Sequence, residues 1–581
     1  MRTAKVATLF TLVVLAGLAV AKAAEAGAIV SWGAIAFDSK ELDANDFIAI
    51  SAGVAHVLAL KSDGSIIGWG SNEFGQAMPP DGNDFVAVSA ARTHSLALKK
   101  DGTIVSWGNT EDIRLIPQGN DIVAISAGYL PIFAGYIAGY SHCLALRSDG
   151  SILGWGWNSF GQANAPSGND YIAIAAGGHH SLALKSDGSI VGWGSNAEGQ
   201  ANSPPRDGND FAAIAAGGTH SLALKKDGSI IAWGENDFGQ AIPPDGNDFV
   251  AIAAGWSHSV ALKSDGSITC WGNNDYNQAV PPDGNDYVAI AAGSYFSLAL
   301  KKNGSIVVWG RNDYGQSKPP IGTDFIAVAA GGEDIPSARY PYTVYDGMAL
   351  KKNGSIVTWG EGAAGPPAEN DFVAISAGDY QDLALKQDGS VIGLGGNYGH
   401  QVPPPAGNDF LAISAGDRHN LALKSDGSIV AWGDNYRGQA ARPDGNDFIA
   451  ISAGGFHNLA LKSDGSIHGW GNNYYGQATP PSDSYFSAIS AGYYHSLALK
   501  SDGSIVAWGY NDYHQTTPPD GDDFIAISAG GLYGLALKQD GSIVGWGWNH
   551  SGQATPPEGN DFIAIAAGHY HGLAIRREPD P

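Results

Sequence analysis

Histidine is the residue of this chain best placed to do chemistry. Ten histidines stand at one spacing after a small-residue pair: His56, His94, His142, His180, His220, His258, His419, His457, His495 and His571. Ten imidazoles could form a metal array, but a zinc site needs three or four ligands converging on one point. One imidazole per sequence copy distributes them instead, so each is expected to hydrogen-bond its own loop or the neighbouring copy. Oxygen-rich turns such as Asp81, Asn83 and Asp84 could offer calcium ligands. The full loop spacing that closes on a glutamate is missing, which leaves turn chemistry. Tryptophans such as Trp69, Trp193 and Trp432 recur at one position in thirteen copies, with Leu394 the exception; recurrence makes them packing residues between copies. No nucleophile elbow, phosphate-binding glycine loop or zinc signature occurs. The carboxylates recur in turns, with no unusual acid beside an unusual base. The expectation is a non-enzymatic protein with no cofactor and no metal site.

Residues that vary between copies are where recognition can be written. One loop, Asn-x-aromatic-Gly-Gln, contributes Phe74, Phe160, Phe238, Tyr276, Tyr314, Tyr475 and Tyr513. The other, following Ala-Gly, contributes Trp256, Tyr295, Tyr380, Phe456, Tyr493 and Tyr494. Two enlarged versions of the second loop, residues 129–140 and 333–346, add Tyr136 and Tyr342. Aromatic residues interspersed with Asp, Asn and Arg have the composition of protein-binding hot spots. Packing between units is the competing role for the regularly placed aromatics of the first loop.

Positioning these loops is the task of a unit of about 38 residues that recurs fourteen times. Self-similarity at such a period signals a solenoid, propeller or array. Each copy holds three strand-like runs, as in residues 171–177, 181–185 and 189–194. They are bounded by Gly, Asp, Asn and Pro, and apolar enough to be buried on both faces. Lys-Ser-Asp-Gly or Lys-Lys-Asp-Gly joins the second run to the third, a strong hairpin signal. Pro-Pro-Asp-Gly-Asn-Asp crosses to the next copy, and its prolines stop an edge strand from continuing. If the strands run up, down and up, both aromatic-bearing loops emerge on one face.

The period favours propeller blades over the shorter coils of a β-solenoid. Residues 28–33 are a third strand lacking its first two, and residues 562–575 are a first and second strand lacking a third. The ends together make one blade. The expected fold is all-β: tandem β-propellers, two seven-bladed rings with three-stranded blades. The expected domains are a signal peptide at 1–23, a first propeller at 27–302 and a second at 303–578. In that division the strands from 286 to 301 complete the first ring against the N-terminal strand.

Composition sets the outer limits. The 581 residues include 81 glycines and 29 prolines, 44% are hydrophobic, and the net charge is −25. So acidic a surface repels phosphate backbones, making nucleic acid a poor partner and basic proteins or cations better ones. Arg2 and Lys5, the apolar stretch Val6 to Val20 and the Ala21-Lys22-Ala23 and Ala24-Glu25-Ala26 sites form an export signal. The expectation is a secreted, periplasmic or cell-surface protein without a membrane anchor after cleavage. Cys143 and Cys270 occupy different repeat positions and are expected to be small buried hydrophobes.

The phrase Ala-Gly-x-x-His-x-Leu-Ala-Leu, followed by Asp-Gly-x-Ile-x-x-Trp-Gly-x-Asn-x-x-Gly-Gln, resembles the repeats of the regulator-of-chromosome-condensation family. Gly177 to Gln200 and Gly217 to Gln240 show it in full. In its short period the chain also resembles the secreted bacterial β-lactamase-inhibitory protein II, a seven-bladed propeller with three-stranded blades. The resemblance implies a scaffold that binds proteins with one face of its ring, and it transfers no partner. The functional expectation is an exported protein-binding scaffold, with inhibition of the partner as one form of that binding. A carbohydrate-binding or carbohydrate-active envelope protein and a structural cell-surface spacer are the readings from other classes.

Overall fold

The computed structural model describes residues 27–577 apart from 43, 45, 110–115, 129–140, 203, 205–208, 313–320, 331–345, 361–365, 379–381 and 395–402. The expected signal peptide, residues 1–23, and residues 129–140 and 333–345 of the two enlarged loops lie outside the described residues. No described helix is long and apolar enough to cross a membrane.

One copy explains the others. Tyr171–Ala176, His180–Lys185 and Ile190–Gly194 form a three-stranded antiparallel sheet. The hairpin closes where Gly188 N donates to Lys185 O at 2.9 Å, while Asp187 Oδ1 accepts from Ser189 N and Oγ at 2.8 and 2.7 Å. Gly188 adopts a φ of +86°, and a Cβ there would collide with the carbonyl of Asn209. Glycine is required twice at this point, for the left-handed backbone and for the close approach of the next copy. That approach is itself a bond, Phe211 N donating to Gly188 O. A register shift between Tyr171 and Ala173 bends the first strand.

The middle strand is buried on both faces, with Leu182 and Ala183 fully inaccessible. Apolar cores therefore form between sheets: Leu182, Leu184 and Ile190 pack on Phe211, Ala223 and Trp233 of the next copy. Each such leucine contributes about 1.5–3 kcal/mol through burial. At the exposed end of the sheet Lys185 Nζ lies 3.2 Å from Asp170 and over the Tyr171 ring, a pairing that recurs along the chain.

The chain divides into two compact units. The internal unit, Asp43–Pro319, holds seven successive sets of three antiparallel strands among its described residues, from Phe47–Ala52 to Ile306–Gly310. Its last sheet packs against its first, and Ser294 N donates to Gly53 O at 3.3 Å. The terminal unit combines Met1–Leu42 with Pro320–Pro581. Its described residues hold six sheets built within the C-terminal segment, and one built by both ends of the chain.

In that shared sheet Gly27–Gly33 pairs antiparallel with His571–Arg577, Ile29 facing Ile575. Gly27 also pairs with Phe325 in the first sheet of the segment. The expected union of the two ends is thus present. The boundary at 302/303 differs from this division, and the N-terminal strand does not complete residues 286–301. Phe296–Lys301 already has Ile306–Gly310 as its partner through an intact hairpin, so no strand position is open there. Trp32 gives the physical reason for its own placement: its indole nitrogen donates to Gln553 O, the bond that other repeat tryptophans make to the preceding copy. Ile35–Asp38 adds an unanticipated strand beside Gly27–Gly33, followed by a helical turn at Ser39–Leu42. Asp38 anchors it through Arg576 at 3.1 Å.

Candidate binding face

Repeating polar residues are consumed by joining one sheet to the next. Gln162 O accepts from both Ser181 Oγ at 2.9 Å and Trp193 Nε1 at 2.8 Å. Ser181 Oγ in turn lies 2.8 Å from His142 Nε2. A hydroxyl has one proton, which Ser181 gives to Gln162, so His142 must donate through Nε2. Equivalent imidazole contacts run from His56 to Ser95, His180 to Ser221, His220 to Ser259, His258 to Ser297 and His457 to Ser496. Cys143 takes the serine's place opposite His94, and Asn458 takes it opposite His419. Burial holds these imidazoles neutral, lowering His142 and His180 to about 3. The same burial pushes the Cys143 thiol upward. Among the described residues no group of three or more His, Cys, Asp or Glu could hold a metal ion. Four copies carry another residue at the histidine position, Phe296, Asp346, Asp382 and Tyr533; at Asp382 burial raises the carboxyl to about 7, against the bond it accepts from Gly378 N–H.

The second glutamine contact shapes the outer loop. Gln477 Oε1 accepts from Tyr475 N, and Gln515 Oε1 from Tyr513 N. This fixes the backbone and turns the aromatic ring outward. Phe74, Phe160, Phe238, Tyr276, Tyr475 and Tyr513 are all exposed, between 40% and 52%. Some of them also touch rings of the following copy, Phe160 on His179 at 5.2 Å and Tyr276 on Tyr295 at 5.6 Å, so exposure and packing are combined in one side chain.

In the terminal unit the two loops meet on one side. Tyr493 contacts Tyr494 at a centroid separation of 4.5 Å, and Phe456 lies 5.5 Å from Tyr493. Tyr475 lies 5.5 Å from Tyr494 and 4.8 Å from Tyr510. From Tyr494 a closed circuit runs through Tyr510, Tyr513, Trp548, Tyr570 and His569 back to Tyr493, each ring within 6.3 Å of the next. Gly531 lies directly against His569, where a Cβ would stand 2.6 Å from the imidazole. Tyr510 is pushed up to about 12 by its hydrogen bond to Asp512 and by burial, and Tyr494 is raised by burial first. Beside the circuit a cavity of about 100 Å³ is lined by the Ala-Gly ends of the sheets, with Asp417, Tyr493 and His569.

The internal unit is arranged differently. Trp256 is only 8% exposed and packs on Val54, Trp157 and Tyr295. A Cβ on Gly218 would lie 2.5 Å from its indole, and one on Gly178 would lie 2.8 Å away. The expectation of Trp256 as an exposed contact is corrected: glycines of two other copies leave a bed that the indole fills. Tyr295 is half-buried, and it meets Tyr276 at 5.6 Å with the Arg311 guanidinium over both rings. Phe238 stands exposed on another sheet.

Of the expected contact residues, Phe456, Tyr493, Tyr494 and Tyr513 come together in one surface, and Tyr276 and Tyr295 form a separate pair. Tyr136, Tyr314, Tyr342 and Tyr380 lie outside the described residues. Tyr510, Trp548, His569 and Tyr570 were missed. Tyr510 and Trp548 directly follow Trp-Gly, where other copies carry Ser195, Glu235 or Asn273; that variation was a readable signal.

Comparisons with known proteins follow the fold. The CRINKLY WD40 ectodomain of the Arabidopsis thaliana receptor kinase ACR4 matches at 23% identity with a TM-score of 0.38, over 45% of this chain and 97% of that one. Human WBSCR16 matches at 18% identity with a TM-score of 0.37, over 46% and 97%. Prp20p from Saccharomyces cerevisiae matches at 16% identity with a TM-score of 0.23, over 71% and 83%. No curated protein matches the chain. The Regulator of chromosome condensation (RCC1) repeat matches residues 47–76, 138–162, 171–200, 211–240, 249–278, 287–316, 410–439, 448–477, 486–515 and 524–553, just over half of the sequence. With its blade-like three-stranded sheets and these ten matched stretches, the chain belongs to the RCC1 repeat family.

Proposed function

We propose that each unit is a closed ring of seven three-stranded blades, and that the protein is an exported, non-enzymatic scaffold that binds another protein through the aromatic loop face of its terminal unit. Supporting the rings are the seven three-stranded sets in each unit and the contacts between the first and last of them. Supporting the scaffold reading is the use of the recurrent histidines, glutamines and tryptophans for joints between sheets. The observation that carries the binding reading is the aromatic circuit from Tyr493 to His569. Its rings come from positions that vary between copies, they contact one another in a continuous chain, and large amphipathic side chains dominate protein interfaces.

The resemblance to secreted β-lactamase-inhibitory propellers makes inhibition of an exported enzyme one form this binding would take. Capture from the secreted or envelope fraction, followed by identification and rebinding of the purified partner, tests the face. The expected result is a protein retained by the wild type and lost from a Tyr475→Ala, Tyr513→Ala, Trp548→Ala variant of unchanged thermal midpoint. Equal retention by both proteins rejects the face. Retention of an oligosaccharide alone moves the assignment to the carbohydrate-binding class. The mass of the mature N-terminus tests cleavage near residue 23.

A further inference from the structure

We propose that the hairpin end of the internal unit binds a basic protein segment whose apolar side chains are flanked by lysine or arginine. This surface is separate from the aromatic loop face, which belongs to the other unit. Each first strand of the internal unit begins with a bulge. Phe85 pairs with Lys99 and Ala87 with Leu98, so Val86 between them has no ladder partner, and a bulge re-aims the side chain it carries. Ile48, Val86, Val123, Ile172, Val250 and Val288 occupy this register, each 45–56% exposed, and the exposed Ala212 is the seventh. Successive first strands are neighbours: Ala90 N donates to Ser51 Oγ at 2.9 Å, and Ala127 N to Ser89 Oγ at 3.0 Å. The last of them, Tyr287–Ala292, neighbours the first, Phe47–Ala52. The aliphatic side chains thus gather at one end of adjoining strands. A single exposed valine is ordinary, whereas a contiguous group marks an interaction surface.

Charge decides the occupant. Phe85 N donates to Gly64 O at 3.1 Å, which brings the Asp63-Gly64 turn of the preceding copy beside Val86. Equivalent bonds place Gly188 beside Phe211 and Gly228 beside Phe249. The turn carboxylates Asp63, Asp101, Asp149, Asp187, Asp227 and Asp265 each accept from the hydroxyl and backbone N–H of the Ser or Thr two residues on. These bonds hold them below the usual carboxylate range. They are ionised at neutral pH. Aspartates at the strand starts are matched by cations, as Asp84 is by Lys99 at 3.2 Å and Asp121 by Arg147 at 3.4 Å. The exposed Lys100, Lys226 and Lys302 are offset in number by the exposed Asp81, Asp245 and Asp283. The turn carboxylates are therefore the excess charge. An apolar surface bordered by them attracts basic segments and repels a second copy of this acidic chain. The terminal unit provides the contrast: at its equivalent register Ile326, Leu411, Ile449 and Ile563 are half-buried, and Ser487 is polar.

The test titrates the full chain, by calorimetry, with three end-blocked hexapeptides: Lys-Lys-Leu-Leu-Lys-Lys, Lys-Lys-Ser-Ser-Lys-Lys and Glu-Glu-Leu-Leu-Glu-Glu. The basic leucine peptide is expected to bind about tenfold more tightly than either of the others. A Val86→Ser, Ile172→Ser, Val250→Ser variant should weaken it about tenfold and leave the basic serine peptide unchanged. Ser487 stands at this register in the terminal unit, so the strand start accepts serine. Val373→Ser with Ile525→Ser, at the same register of the terminal unit, should change nothing. The Tyr475, Tyr513 and Trp548 variant should also leave peptide binding unchanged, which keeps the two faces separately readable. Equal binding of the two basic peptides overturns the inference, and so does equal binding of the two leucine peptides. Equal weakening by the serine variants of both units overturns it as well. Self-association in sedimentation velocity that the internal-unit serine variant abolishes would assign the surface to a second copy and end the basic-segment assignment.

Discussion

The two units use one repeat to opposite ends. In the internal unit Trp256 lies buried over glycines of neighbouring copies, and six histidines bridge successive sheets. The terminal unit keeps a cavity at its Ala-Gly ends, bordered by Tyr493 and His569, and has only four of the ten histidines. Asp382 and Tyr533 stand at two of its other histidine positions. The lesson is that a repeat can vary at its joints as well as at its loops, and joint variation changes stability where loop variation changes recognition.

Acid should separate the units most sharply. His56, His142, His180 and His258 are lowered to about 3, and His94 and His220 to about 4, all by burial. Unfolding releases these imidazoles to their ordinary value of 6.5, so the unfolded state binds more protons between pH 6.5 and 3. Stability is therefore full above pH 6.5 and falls with acidification, by about 1.4 kcal/mol per pH unit for each imidazole. A domain has on the order of 5–15 kcal/mol to lose. The terminal unit's four histidines behave likewise, while Asp382 works in reverse. Its carboxyl is raised to about 7, which adds stability at low pH that is lost as pH rises through that value. Hydrogen exchange at pH 7, 5 and 4 should show the internal unit opening first. Simultaneous opening, or the reverse order, would break the comparison.

Next in size is the buried indole. Trp256→Ala should destabilise the internal unit by about 3–5 kcal/mol, as large aromatic truncations in cores do. Tyr493→Ala, at a half-buried and functional position, should cost under about 1 kcal/mol. Comparable losses in thermal denaturation would mean that both residues serve packing. Asp382→Asn should be stabilising by on the order of 4 kcal/mol at pH 8 and about 2 kcal/mol at pH 5, and nearly neutral only below about pH 4, where the carboxyl is protonated in both folded and unfolded chains. A pH-independent effect would remove the titration argument. The smallest change is expected from Lys185→Ala, which deletes the contacts to Asp170 and Tyr171. Exposed pairs of this kind contribute at most about 1 kcal/mol.

Local chemistry was legible in the sequence because it depends on near neighbours. The Asp-Gly hairpins, the three strands and the structural use of His142 or Trp193 follow from residues within one copy or its successor. Trp256 was misjudged because its burial is supplied by Gly218 of the preceding copy and by Val54, Trp157 and Gly178 of copies further back, and no local pattern marks them as its bed. The 302/303 boundary failed for a related reason. Equal halves are an arithmetic division, whereas Phe296–Lys301 keeps its hairpin partner and Trp32 seeks the carbonyl of Gln553. The aromatic surface was half visible: Tyr475, Tyr493, Tyr494 and Tyr513 stood out by position, but Tyr510 and Trp548 occupy a site that is polar in most copies.

The sheet shared by the two ends has a consequence for the order in which the molecule can be made. Trp32 and Gln553 are separated by 521 positions, so Gly27–Gly33 has only the short strand Ile35–Asp38 as a near neighbour until almost the whole chain has been made. Its long pairing with His571–Arg577 is therefore a late event in synthesis, and deleting those residues would leave the Trp32 strand without its main antiparallel partner.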